Sequence, residues 1–136
     1  MLKKEVVRGR AARVVLVDSI TQVSPDDAGC IVVSGSHGGA SSGTFALEVP
    51  LMAVFFCDAG VGKDDAGIAA LAMLQERGVA GGTVAHTSAR IGDSQDVWDH
   101  GVISHLNPCA RDLGLVTGDR MQDAAAWLAQ VPGSSA

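Results

Sequence analysis

Four short apolar runs, each cut off by polar residues or glycine, constrain this chain more than any other feature. Arg13–Val17 reads RVVLV and stops at Asp18-Ser19. Ile31–Val33 stops at Ser34, Leu51–Phe56 stops at Cys57-Asp58, and Gly82–Ser88 runs from Thr83-Val84-Ala85 into His86-Thr87-Ser88. Runs of this length, rich in β-branched residues and bounded by turn formers, read as buried strands.

Helical spacing separates them. Ile68, Leu71 and Ala72 stand at i, i+3 and i+4, with Gly78 placed to close the helix. Asp64 and Asp65 suit its start, as caps and as anions at the positive end of the helix dipole. Met121, Ala124, Ala125 and Leu128 share one face of a last helix opened by Thr117–Asp119. Ser41 or Ser42 caps a short helix that Pro50 ends or follows, and Ser94 caps another through Val97 and Trp98. Asn107-Pro108 supplies an N-cap and a first helical position, and Ser24-Pro25 suits a turn or a single helical turn.

Strands alternating with helices predict a single-domain, three-layer α/β/α fold over residues 1–130, with a mostly parallel sheet of about four strands. Residues 131–136 read as a loose tail. The connection between the first two strands is only about a dozen residues, so that pair is open to antiparallel pairing.

Composition narrows the function. A 136-residue chain with 47% hydrophobic content builds a core and is not disordered. A net charge of −5, two Trp, three Phe and no Tyr argue against a nucleic-acid partner. The basic residues Lys3, Lys4, Arg8, Arg10 and Arg13 read as a solubilising tail or first strand. Three cysteines without C-x-x-C spacing give neither a disulfide framework nor a zinc site. With no signal peptide or membrane-length apolar run, the expectation is a cytoplasmic protein without membrane contact.

In a parallel sheet the carboxyl ends of the strands share one edge, and ligands bind there. The polar strand ends should therefore converge on a candidate site. His37 is the leading general acid or base, because imidazole titrates near neutrality. Asp58 is its carboxylate partner or a second base, and Ser36 and His86 are further catalytic candidates. Arg90 is a bidentate anchor for a carboxylate, and Asp93 is placed to orient His86, His37 or Arg90. The backbone from Gly35 to Gly39, with Gly35, Gly38 and Gly39 unhindered, is an anion cradle. Gly60 allows a tight turn, and Lys63 adds a cation for an anionic substrate.

Competing motifs fit less well. CDAGVGKDDAG lacks the first glycine of a P-loop, where Cys57 stands, and Asp64 replaces its hydroxyl. SGSHG resembles the nucleophile elbow G-x-S-x-G, but the chain is shorter than that fold requires, which leaves Ser36 a supporting hydroxyl. His100 and His105, five apart, would sit about 140° apart on a helix and share no face. No metal or other cofactor is expected; a mononuclear site from His37, Asp58, His86 and His100 is the alternative. Cys57 is more readily a small hydrophobe than a nucleophile.

The glycine and serine stretch before a short helix, followed by VPLMAVFF, resembles swivelling phosphohistidine domains. In those the histidine follows the glycines and opens the helix, whereas His37 precedes Gly38 and Gly39. No residue role is carried over.

The reading is a small-molecule enzyme, a hydrolase or lyase, using His/Asp acid–base chemistry on a small polar substrate bearing a carboxylate or amide. The alternative is a non-catalytic ligand-binding or regulatory domain, or an accessory subunit of a larger enzyme. A short chain with an edge site also suggests a homo-oligomer.

Overall fold

The computed structural model describes residues 1–130, so the expected tail at 131–136 lies outside the described residues. The elements are β1 (Lys3–Arg8), β2 (Arg13–Val17), β3 (Ile31–His37), α1 (Ala40–Ala46), β4 (Ala53–Cys57) and α2 (Ala69–Glu76). They continue with β5 (Ala80–Val84), α3 (Ser94–His100), β6 (Ile103–Leu106), α4 (Pro108–Asp112) and α5 (Met121–Gln130). The strands form one six-stranded sheet in sequential order from β1 to β6. Strands β2 to β5 pair in parallel, and β1 and β6 lie antiparallel at the two edges.

The described residues thus form a mixed α/β domain with six strands rather than about four. Both unforeseen strands are edges, where the hydrophobic signal is weak. In β1 only Val6 and Val7 are partly buried, and Lys3, Lys4 and Arg8 face solvent, as suits an unpaired edge. In β6 only Ile103 and Leu106 are buried, with Ser104 and His105 between them. The pairing of β2 with β3 is parallel, from Val14↔Ile31 to Val17↔Ser34, not antiparallel. Two single 3-10 turns, Ile20–Gln22 and Pro25–Asp27, make that short crossover possible.

Alternate residues of the central strands bury on opposite faces. Val14, Leu16, Ile31, Val33, Ala53 and Phe55 cluster with Val97 of α3, Ala110 of α4, and Ala125 and Leu128 of α5. Val15, Val17, Val32, Val54 and Phe56 cluster with Ala46 of α1 and with Ala70 and Leu74 of α2. Strands buried on both sides need continuous apolar runs, which is why they were the most visible elements. Phe55 and Phe56 are fully buried, each contributing roughly 2–3 kcal/mol of hydrophobic stabilisation.

Some caps match expectation and others do not. Asn107 accepts the Ala110 N–H at the start of α4, and Gly78 (φ +70°) lies just past the end of α2. Asp93 rather than Ser94 caps α3, accepting the Asp96 N–H, and Gly39 rather than Ser41 or Ser42 opens α1. The larger difference lies after β4. The α-helix begins at Ala69, and Asp64 and Asp65 adopt left-handed geometry within a 3-10 stretch, Lys63–Ile68. They are not its caps. Asn107, 4% exposed, also takes the Gly81 N–H and donates to Leu71 O and Val79 O, fixing β5, α2 and α4 against one another.

Candidate active site at the strand ends

The carboxyl ends of β3, β4 and β5 do meet. His37 pairs in register with Cys57, and Cys57 with Val84, so neighbouring strand ends stand about 5 Å apart. Two backbone bonds extend the edge, from Gly38 N–H to Cys57 O and from Asp58 N–H to Val84 O, each 2.9 Å.

Asp58 is the centre of this edge. It is 4% exposed, and its Oδ1 accepts the backbone N–H of Gly60 at 2.8 Å and of His86 at 3.0 Å. The same oxygen lies 3.3 Å from His86 Nδ1, and Oδ2 lies 3.9 Å from His105 Nδ1. Burial pushes the Asp58 pKa up. Bonds from the Gly60 N–H, the Ser104 hydroxyl and both His86 N–H groups outweigh it and hold the carboxyl below its ordinary value.

Asp58 directs its carboxylate toward β5 and β6, away from His37. His37 is exposed and folds back onto the start of α1, its Nδ1 accepting the Gly39 N–H at 3.1 Å. A Cβ on Gly39 would stand 2.6 Å from that ring. The expected His37–Asp58 pair is therefore not formed; His86 is the histidine that Asp58 holds.

Other expectations are revised by the same bonding. Ser36 Oγ accepts the Ile20 N–H at 3.0 Å, tying the crossover to β3. The anion cradle is occupied: Ser36 N–H bonds Ser34 Oγ, Gly38 N–H bonds Cys57 O, and Gly39 N–H bonds His37. Gly35 matters for close approach instead. A Cβ there would lie 2.7 Å from Asp18 O and from Gly92 C, and 2.8 Å from Asp93 N. Gly38 faces the Gly67 carbonyl in the same way. Gly60 takes φ +74° beside the His86 ring, as expected of a turn glycine. Lys63 is exposed, and Asp93 is committed to capping. Burial pushes the Cys57 thiol up, against a thiolate nucleophile.

A groove of about 490 Å³ opens beside Asp58, lined by Cys57, Ala59, the segment 86–91 and Asp96. His86 and Arg90 therefore share it, and His37 does not. Asp96 Oδ2 accepts the Arg90 backbone N–H at 2.8 Å, and its Oδ1 lies 2.8 Å from His100 Nδ1. Those bonds, with the Arg90 bond the stronger, lower the Asp96 pKa. The wall is anchored from below: Gly92 N–H bonds Gly35 O, and Ser94 bonds Asp18 Oδ1 through both its N–H and its hydroxyl. Asp18 is held low because these bonds and the Leu2 N–H outweigh its burial.

The sequence does not single out Ser104 or Thr83, and it brings in Asp96 and His105 only with a metal-ligating stretch that its spacing argues against. Asp96 sits inside a helix, three residues past its cap, and Ser104 and His105 sit on an edge strand without an apolar run. Among the described residues no group of three or more His, Cys, Asp or Glu side chains is arranged to hold a metal ion. His37 and His100 of the alternative metal set are each engaged elsewhere. No described helix is long and apolar enough to cross a membrane. Comparison with known families, curated proteins and solved structures returned no match.

Proposed function

We propose that this groove is the active site of a small-molecule hydrolase or lyase, with His86 as general acid or base, Asp58 as its orienting carboxylate and Arg90 as the substrate anchor. The observation that carries the reading is the buried Asp58 carboxylate, held ionised and 3.3 Å from His86 Nδ1. With Nδ1–H turned to Asp58, Nε2 is the atom left to take or give a proton. A groove of about 490 Å³ suits a small polar molecule, and a guanidinium in its wall suits a carboxylate or an amide oxygen. The domain is read as a three-layer α/β/α unit, with α1 and α2 on one face of the sheet and α3 and α5 on the other. It acts in the cytoplasm as a homo-oligomer.

The test is thermal stabilisation against a panel of small carboxylates and amides, followed by product analysis for every molecule that binds. Arg90→Gln is expected to lose the stabilisation. His86→Gln keeps it and loses turnover by about 100-fold or more. Binding that survives Arg90→Gln undiminished overturns the anchor. Binding without turnover of any ligand leaves a non-catalytic ligand-binding domain in its place.

A further inference from the structure

A second groove, of about 560 Å³, lies on the other side of Asp58, between α2 and β6. Its lining includes Ile68, Leu71, Ala72, Leu106 and Pro108, an apolar bed at the edge of the sheet. His105 stands in its wall. The ring's Nδ1 is 3.1 Å from Ser104 Oγ and 3.2 Å from Thr83 Oγ1, and its Nε2 makes no bond among the described residues. Leu71 and Leu106 are nearly buried, and Asn107 locks the strand and helix between them, so the bed is pre-formed.

Charge selects the occupant. Asp64 and Asp65 belong to the lining, and both are exposed. Among the described residues the one cation in the lining is Arg111, which donates to the Leu106 carbonyl at 2.7 Å; against the two aspartates its single charge leaves the lining net negative. A carboxylate ligand would meet two like charges there. An ammonium group would meet two acceptors while its apolar body covered Ile68, Leu71 and Leu106.

We infer that this groove binds a small molecule with an apolar body and an amine head. The site does not depend on the function proposed for the first groove, since it shares none of that groove's lining residues. Its volume falls in the range of small-molecule pockets, and its recognition is a charge-assisted pairing at one end of an apolar surface.

The experiment is a titration of the 15N-labelled full chain with phenethylamine, followed by backbone amide shifts. 2-Phenylethanol and 3-phenylpropionate serve as the neutral and anionic counterparts. Saturable shifts are expected at residues 64–72 and 104–107 with phenethylamine, weaker ones with the alcohol and none with the carboxylate. The Asp64→Asn/Asp65→Asn variant should bind phenethylamine about tenfold more weakly or worse. Asparagine tolerates left-handed geometry as well as aspartate does, and both sites are exposed, so the variant keeps the fold. His86→Gln should bind phenethylamine as the parent does, which separates this test from that of the first groove. Equal affinity for the alcohol, an undiminished double variant, or no saturable shift in this region overturns the inference.

Discussion

Replacing Asp58 with asparagine removes one charge and keeps the shape. Oδ1 accepts two backbone N–H groups, from Gly60 at 2.8 Å and from His86 at 3.0 Å, and an amide oxygen can keep both. What is lost is the charge assistance, about 1 kcal/mol for each bond. Relief of burying a charge works the other way. The lowered pKa decides the sign, because it means that the folded surroundings favour the ionised form. The net loss is about 1–2 kcal/mol, or roughly 4–8 °C in Tm for a domain of this size. The folded pKa lies below the unfolded value of about 3.9, so the contribution is complete above that value and disappears as pH falls through the folded one. The stability gap between parent and Asp58→Asn should stay flat from about pH 7 to pH 5 and narrow below about pH 4. Urea unfolding followed by the fluorescence of Trp98 and Trp127 measures it. A variant as stable as the parent near neutrality, or a gap that widens on acidification, would refute the reasoning.

Three further outcomes follow from the packing. Gly35→Ala forces a Cβ to within 2.7 Å of Asp18 O and Gly92 C; overpacking should cost about 2–3 kcal/mol, offset by up to about 1 kcal/mol from the stiffer unfolded chain. Thermal melting checks this, and stability within about 0.5 kcal/mol of the parent contradicts the close approach. Asn107→Ala strands the Gly81 and Ala110 N–H groups and the Val79 carbonyl in or near the core, and should cost about 3 kcal/mol or more by chemical denaturation. In a thiol-labelling time course Cys109, partly exposed, reacts first, while Cys30 and Cys57, both buried and both pushed up by burial, wait for denaturant. Rapid labelling of Cys57 in the native protein would be the contrary result.

The central strands were legible because both of their faces are buried, which leaves unbroken runs such as RVVLV and AVFFC. Edge strands mix charge and apolar residues, so KKEVVR reads as a basic tail as readily as a first strand, and ISHL resembles part of a helix. Convergence of the strand ends was legible too, since a parallel sheet imposes it. Which histidine the carboxylate would choose was not. That depends on the direction of the Asp58 side chain, set by the turn Ala59–Gly62, where Ala59, Gly60, Val61 and Gly62 all take positive φ. Left-handed alanine and valine leave no trace in the sequence, because neither residue prefers that geometry. His37 was singled out for its glycine neighbours, but Gly39 serves to let its ring fold back.

The central claim, that ligands are handled by Asp58, His86 and Arg90 rather than by His37, is tested most directly by mapping backbone amide shifts on binding of a small carboxylate. The prediction is that shifts centre on residues 57–59 and 86–91, vanish in Arg90→Gln and persist in His37→Ala. Shifts centred on residues 37–40, or binding abolished by His37→Ala and untouched by Arg90→Gln, would contradict it.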